Sequence, residues 1–293
     1  MNKIRYFVSI ARIHHYIKNG IIWIPILFGH KLHDAQSIGK TLVVFIAFCL
    51  AASSVYTLND LLDAENDRKH PQKKSRPIAC GLIPARDAVL FLVILAGAAI
   101  LISAALLPLP VVVIIIVYLA LNCGYSLSFK KYAIIDIVCI AVGFVLRIFA
   151  GGFAIHVPIS HWLVLMIFLL AVFLALTKRR DDLLLTAAGH NTRKSLDGYN
   201  LEFVNFAMIV MTSVVIVCYI LYAVSPEVID KHGTNKLYLT TFWVIVGLLR
   251  YMQITFVEQK TGSPTQVILK DLFLQAVILL WLVHIYFILY VLQ

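Results

Sequence analysis

The chain has 293 residues, of which 61% are hydrophobic and only 14% charged, with a mean hydropathy of +0.90. A soluble domain of this size needs far more polar surface to cover its core, so the composition excludes one. The formal net charge of +10 at pH 7 points to anionic lipid and to a bias of basic residues toward one membrane face. Nucleic acid is not an expected partner, because no soluble domain exists to carry a groove or stacking platform.

Long apolar runs are separated by short charged stretches along the whole chain. The runs do not alternate as the strands of a transmembrane β-barrel would. The expectation is therefore an all-α, polytopic membrane helical bundle, a single transmembrane domain over 1–293. About nine spans are predicted, near residues 17–30, 41–58, 88–107, 110–128, 134–155, 161–177, 203–224, 237–257 and 268–291. The first is short, and Asn2 to Lys18 are expected to continue it as an interfacial helix. It has no small-residue cleavage site, so it is expected to stay on the mature chain. With the N-terminus in the cytoplasm, 19 of the 25 Lys and Arg residues fall on that side. That asymmetry predicts N-terminus in and C-terminus out, in the cell membrane. None of the five Cys lies in a C-x-x-C pair, and they read as small packing residues. A homo-oligomer is compatible with the sequence and is not specified by it.

Polar residues interrupt this pattern at a few places. Lys18 and Asn19 stand at headgroup level at the start of the first span, after a His14–His15 pair that reads as interfacial rather than metal-ligating. The most informative stretch follows the second span: NDLLDAENDRKHPQKKSRPIACGLIP. On a helix continuing from that span, Asp60, Asp63 and Asp67 share one face over about 11 Å of axis. Asn59 meets Asp63 at its edge. Crowded carboxylates repel one another unless a cation sits among them, and hard oxygen donors of this kind suit magnesium completed by substrate phosphates. The plainer alternative is a solvated helix end. Arg68, Lys69, Lys73, Lys74 and Arg76 follow at once, and a cation-bridged diphosphate clamped by basic residues explains both signs of charge.

Further along, Lys130 and Asp136 flank the start of the fifth span. Arg147 lies mid-span in VLRIFAGGFA, where an unpaired cation costs about 2.5–3.5 kcal/mol. It is expected to face a polar cavity or a partner, a structural ion pair being one alternative. Gly151 and Gly152, one turn on, permit close helix approach or a local break. A second polar segment, TKRRDDLLLTAAGHNTRKSLDGYN, follows the sixth span. Lys178 and Asp182, four apart, can face one site, although a basic cluster there also serves as a topogenic anchor. Arg250, near the end of its span, can snorkel or take part in function.

The string from Asn59 to Asp67 fits N-D-x-x-D-x-x-x-D. In that motif, and in its place after the second of nine spans, the chain resembles the UbiA prenyltransferase superfamily over nearly its whole length. The resemblance implies a magnesium-diphosphate held between two Asp-rich cytoplasmic segments, above a lipid-facing cavity. The second segment departs from the usual D-x-x-x-D, since Lys178, Arg179 and Arg180 precede Asp181 and Asp182. Together with RKHPQKKSRPIACG, LRIFAGGFA and RKSLDGY, that step resembles the phosphoribosyltransferase branch of the superfamily. Members of that branch move 5-phosphoribose from phosphoribosyl diphosphate (PRPP) to a polyprenyl phosphate.

For this chain the resemblance implies Mg2+ on Asn59, Asp60, Asp63 and Asp67, with Asp60 and Asp63 at the catalytic centre. Charge and position add candidate substrate contacts at Lys18, Arg68, Lys73, Arg76, Lys130, Arg147, Lys178, Arg179, Asp182, Arg193, Lys194 and Tyr199, with Lys73, Arg76, Lys178 and Arg179 expected on the donor phosphates and Arg147 or Lys18 on the acceptor phosphate. A donor with two anionic ends calls for more Lys and Arg and fewer carboxylates. A phosphate nucleophile is already anionic and needs no general base. Two readings compete. An ordinary prenyltransferase would share the fold and first motif but use prenyl diphosphate. A transporter would use Arg147 and Arg250 to line a path, but matching inverted halves are not evident, and the acidic cluster lies at the membrane surface.

Overall fold

The computed structural model describes residues 3–69, 73–187, 194–259 and 264–292, and every regular element among them is helical. The chain forms two compact units, Met1–Cys139 with Val145–Ile159, and Ile140–Phe144 with Ser160–Gln293.

In the first unit, α1 (Lys3–Ala11) ends at Arg12, whose φ of 52° lies in the left-handed region. For a residue with a Cβ that backbone costs about 1–2 kcal/mol. An 11-residue 3-10 helix, Ile13–Trp23, follows and passes into the short α2 (Ile24–Phe28). Pro25 has no N–H to donate, and its ring crowds the carbonyl four residues back, so one α-helix cannot run through it. The short span expected near 17–30, continued by an interfacial helix from Asn2 to Lys18, is instead the end of a 3-10 helix and a five-residue α-helix, with a break at Arg12 before them. At about 2.0 Å rise per residue in the 3-10 part and 1.5 Å in the α part, Ile13–Phe28 extends on the order of 30 Å, but it is not among the eight helices of the described residues that are long and apolar enough to cross a membrane.

The other eight expected spans are helices long and apolar enough to cross a membrane. In α3 (Ala35–Leu62) the carboxylate of Asp34 accepts from the N–H groups of Gln36 and Ser37, a standard N-terminal cap. The middle of this helix is the most buried part of the unit, through Val44, Ala47, Phe48, Ala51 and Ala52, while Ile38, Leu42 and Ile46 are exposed nearer its start. The small residues Ala51 to Ser54 let α5 (Ala85–Leu106) and α6 (Leu109–Leu127) pack against it. Between them, α4 (Ala64–Lys69) is a short extension of α3. Lipid would cover the outer faces of α5 and α6, where Leu90, Val93, Leu101, Leu109 and Val113 are exposed. A small satellite core of Ile10, Ile78, Ile83 and Ala88, joined by Tyr6, Phe7 and Leu61, binds α1 and the loop before α5 to the end of α3.

Gly151 in α7 (Ile135–Ala154) shows why a small residue is needed there. A Cβ at this position would run into the backbone carbonyl of Ile22, and backbone cannot rotate aside as a side chain can. The helix continues through both glycines to Ala154, so they permit close approach and not a break. We expect Gly151→Ala to cost roughly 1–3 kcal/mol through overpacking. Thermal unfolding in detergent measures it, and an unchanged melting temperature would contradict this packing.

The second unit contains α8 (His161–Ala187), α9 (Leu201–Val224), α10 (Pro226–His232), α11 (Thr241–Gln253), α12 (Pro264–Lys270) and α13 (Leu272–Tyr290). A π-helical turn, Ile254–Glu258, ends α11. Side chains of Asn200, Ser225 and Asp271 cap α9, α10 and α13. Along its length α8 packs on α9, and α11 packs on α13.

Candidate active site

The last turn of α3 carries Asn59 and Asp60, and Asp63 caps it. The α-helical run stops at Leu62 instead of continuing unbroken to Asp67. The hydrogen-bond ladder nevertheless carries on, because the Asp63 N–H donates to the Asn59 carbonyl and the Asp67 N–H to the Asp63 carbonyl. The expected shared face survives this interruption.

Three cations meet the carboxylates. Arg76 Nη1 donates to Asp60 Oδ1 at 3.1 Å and to Asp67 Oδ2 at 2.6 Å, bridging the two. Lys130 Nζ bridges Asn59 Oδ1 at 3.1 Å and Asp63 Oδ1 at 2.6 Å. Arg12 Nη2 donates to Asp60 Oδ1 at 2.5 Å. Asp60 and Asp67 are only 3% and 4% exposed, and burial at that level makes removal of either partner of such a pair strongly destabilising.

Local structure aims each cation. A 3-10 turn, Lys73–Ser75, ends with the Arg76 N–H on the Lys73 carbonyl, and Gly81 closes the loop at a φ of 79° that favours glycine. Arg68 Nε donates to the Ala79 carbonyl at 2.9 Å and so braces this loop. Lys73 is half-buried on the same loop. Lys130 sits in the 3-10 turn Phe129–Lys131 that ends α6.

Below this cluster the first segment runs down α3 in the opposite direction. Arg12 meets Asp60, the Tyr16 hydroxyl lies 2.8 Å from Ser53 Oγ, and Asn19 Nδ2 donates to Cys49 Sγ at 3.2 Å. Arg147 reaches this line from α7. Its Nε donates to Asn19 Oδ1 at 2.7 Å and its Nη2 to the Tyr118 hydroxyl at 3.0 Å. The guanidinium also stacks 4.7 Å from the Tyr118 ring centroid and 5.5 Å from that of Phe48, a favourable placement for a cation out of water. Lys18 is half-buried on this segment, within electrostatic reach of both Arg147 and Arg12. Asp136, at the start of α7, is fully buried.

In the second unit Arg179 is buried, and its Nη1 donates to Asp182 Oδ2 at 3.0 Å. Asp182 thus takes Arg179 as its partner, one turn back on α8. Neighbouring Arg180 donates to Asn205 Oδ1 and to the Thr255 carbonyl and lies over the Phe256 ring. Lys178 is half-buried, and Tyr199 is buried beside Phe203. Arg193 and the Lys194 side chain lie outside the described residues. Arg250 donates to Asp271, Glu258 and Gln253, tying the π-helical turn to the cap of α13. Hydrogen bonding from this guanidinium holds the Asp271 carboxyl below the usual carboxylate range.

Arg12 and Tyr118 were not among the sequence candidates. A left-handed arginine 48 residues away leaves no local trace in the pattern. Tyr118 is a lone hydroxyl inside VVVIIIVYLALN, and a polar tip at that depth needs a partner.

The donor chemistry at the Asp-rich end fits magnesium. All side-chain donors are hard oxygens, and among the described residues the ion pairs of Asp60 and Asp63 use Oδ1 alone and that of Asp67 uses Oδ2 alone. Each carboxylate keeps a second oxygen for another cation. Among the described residues no three acidic, His or Cys side chains form a ready-made metal cage.

Comparison with known proteins gives the family and the fold. The UbiA prenyltransferase family model matches residues 22–277. Decaprenyl-phosphate phosphoribosyltransferase of Mycolicibacterium smegmatis is 33% identical over 261 residues, covering 87% of this chain and 81% of that protein. The enzyme of the same name from Corynebacterium glutamicum is 31% identical over 275 residues, 91% of this chain and 81% of its own. Among solved structures, a UbiA homolog from Archaeoglobus fulgidus bound to DMAPP and Mg2+ superposes with a TM-score of 0.73, covering 97% of this chain and 99% of that one at 16% identity. At that identity the likeness is one of fold.

Proposed function

The chain belongs to the UbiA prenyltransferase family, and from that premise we propose that it transfers 5-phosphoribose from PRPP to a polyprenyl phosphate. The observation that carries this reading is the likeness, through most of the chain, to enzymes named decaprenyl-phosphate phosphoribosyltransferase. The basic character of the Lys178–Asp182 step supports it, because PRPP brings a 5-phosphate as well as a diphosphate.

In this reading Asn59, Asp60, Asp63 and Asp67 hold Mg2+ with the donor's diphosphate. Bound magnesium would supply neutralisation of the departing group. Arg76 and Lys130, which pair with these carboxylates, are the cations at hand for the diphosphate oxygens. Lys73 and Arg68 stand on the adjoining loop. For Lys178, Arg179, Asp182, Arg193, Lys194 and Tyr199 a donor-binding role rests on the sequence pattern. The anomeric carbon loses its bond to the diphosphate, which departs with the electron pair, and gains one to an oxygen of the lipid phosphate. No proton needs to be removed from an anionic nucleophile, so the site requires no histidine base. The Asp-rich end faces the cytoplasm in this reading, where a water-soluble donor can enter.

Purified protein with magnesium, labelled PRPP and polyprenyl phosphate is expected to give labelled lipid. Chelation with EDTA should abolish the product and added Mg2+ should restore it. Transfer from a prenyl diphosphate with none from PRPP would overturn the reading in favour of an ordinary prenyltransferase.

A further inference from the structure

We infer that Arg180 is a positioning residue for the donor: the π-helical turn at the end of α11 grips it, and that grip fixes the register in which α8 presents Lys178, Arg179 and Asp182. The inference rests on the phosphoribosyl-transfer reading and adds to it how the second polar segment is held in place. Successive residues along α8 turn by about 100°. Lys178, Arg179 and Asp182 therefore share an arc of about 100°, and Arg180 points roughly 150° away from its centre. Arg180 is buried. Its Nε donates to Asn205 Oδ1 of α9 at 3.0 Å, its Nη1 donates to the Thr255 carbonyl at 2.8 Å, and its guanidinium lies 4.9 Å from the Phe256 ring centroid. A planar fork engaged in two directions and stacked on a ring is committed to the framework and not to a ligand.

The turn is shaped for that contact. In an α-helix the Gln259 N–H would donate to the Thr255 carbonyl, four residues back. Here it donates to the Ile254 carbonyl, five residues back, so the Thr255 carbonyl loses that donor and Arg180 takes its place. Thr255 is fully buried, and a buried carbonyl needs a partner. Turns of this kind are rare and are found mostly at functional sites, and this one has a staple of its own. Arg250 Nη1 donates at 2.7 Å both to Gln253 Oε1, just before the turn, and to Glu258 Oε1, at its end. Its Nη2 donates to Asp271 Oδ2 on the cap of α13 at 2.5 Å. Contacts thus run from α13 through Arg250 and the turn to Arg180 and α8. A slip of one residue in α8 would swing its basic face by about 100°. The donor is the substrate that should feel such a slip, because Lys178, Arg179 and Asp182 are its proposed contacts.

Arg180→Gln, Arg180→Lys and Arg250→Gln test this with the full-length protein in detergent. For Arg180→Gln we expect KM for PRPP to rise tenfold or more, with KM for polyprenyl phosphate within twofold of wild type. Arg180→Lys, which keeps a charge and a donor for the Thr255 carbonyl, should recover part of that loss. An unchanged KM for PRPP in folded Arg180→Gln, or an equal rise in both KM values, would overturn the inference while leaving PRPP-dependent transfer by the wild type standing. Absence of that wild-type transfer would instead remove the reading beneath it. Arg250→Gln keeps Arg180 and loosens only the turn, so it decides the matter if Arg180→Gln does not fold. Its KM for PRPP should rise threefold or more with KM for polyprenyl phosphate unmoved, and wild-type values would overturn the clamp. A further measurement needs no variant. In hydrogen exchange of the wild-type protein read by mass spectrometry, PRPP with Mg2+ should slow exchange in both 178–182 and 254–258, and polyprenyl phosphate alone should slow neither. Slowing by PRPP confined to 178–182, or found in neither segment, would overturn the coupling between them.

Discussion

Replacing Asp60 with Asn is expected to lower kcat/KM for PRPP-dependent transfer by on the order of 10²–10³ or more, the scale of losing one preorganised electrostatic contact in an active site. Asn keeps the volume and one carbonyl oxygen but removes the charge. Asp60 is nearly fully buried and receives both Arg12 and Arg76 on Oδ1. The substitution therefore leaves two guanidiniums without their shared counter-charge and withdraws one anionic ligand from the proposed metal. Asp67→Asn should do less, because among the described residues Asp67 pairs with Arg76 alone. Glu65, exposed on α4 between them, provides the control, and Glu65→Gln should leave the rate unchanged. Activity of Asp60→Asn close to wild type would remove Asp60 from the catalytic centre. A loss that tracks a fall in melting temperature, with the surviving folded fraction fully active, would reduce its role to a structural one.

The Asp-rich end and its charge partners were legible to different degrees, and the reason is topological. Spacing alone places Asp60, Asp63 and Asp67 on one face, and the i to i−4 bonds through Asp63 preserve that face although the helix is interrupted. Arg76 could be suspected because it follows within one loop. Lys130 arrives from a different helix, 67 residues from Asp63, and only its position beside a span marked it. Arg12 is harder still, because nothing local separates it from Arg5, and its role depends on a left-handed backbone and on α1 docking against the loop before α5. Periodicity tells which residues share a face, whereas which distant side chain meets that face is set by packing. The same limit applies to Arg250. Its depth left snorkelling or a functional role open, and nothing local pointed to its partner Asp271, which belongs to the cap of a later helix. The first span was misjudged in form for a local reason, since the apolar run does not by itself distinguish an α-helix from a 3-10 helix ended by Pro25.

Arg147→Met is expected to destabilise the protein by about 2–5 kcal/mol, because it leaves two buried groups, Asn19 Oδ1 and the Tyr118 hydroxyl, without their donor, at roughly 1–3 kcal/mol each. Those two bonds join the first segment, α6 and α7, so the loss should appear as a lower melting temperature and as looser protection of residues near Asn19 in hydrogen exchange. Arg147→Lys should recover little. One ammonium cannot reproduce a planar fork that donates in two directions while stacking on the Tyr118 and Phe48 rings. A double variant separates the orphaned-partner cost from the loss of charge. Adding Asn19→Leu to Arg147→Met removes one stranded oxygen, so the pair should be less destabilised than the sum of the single changes. Strict additivity would mean that the two residues do not share the interaction seen between them.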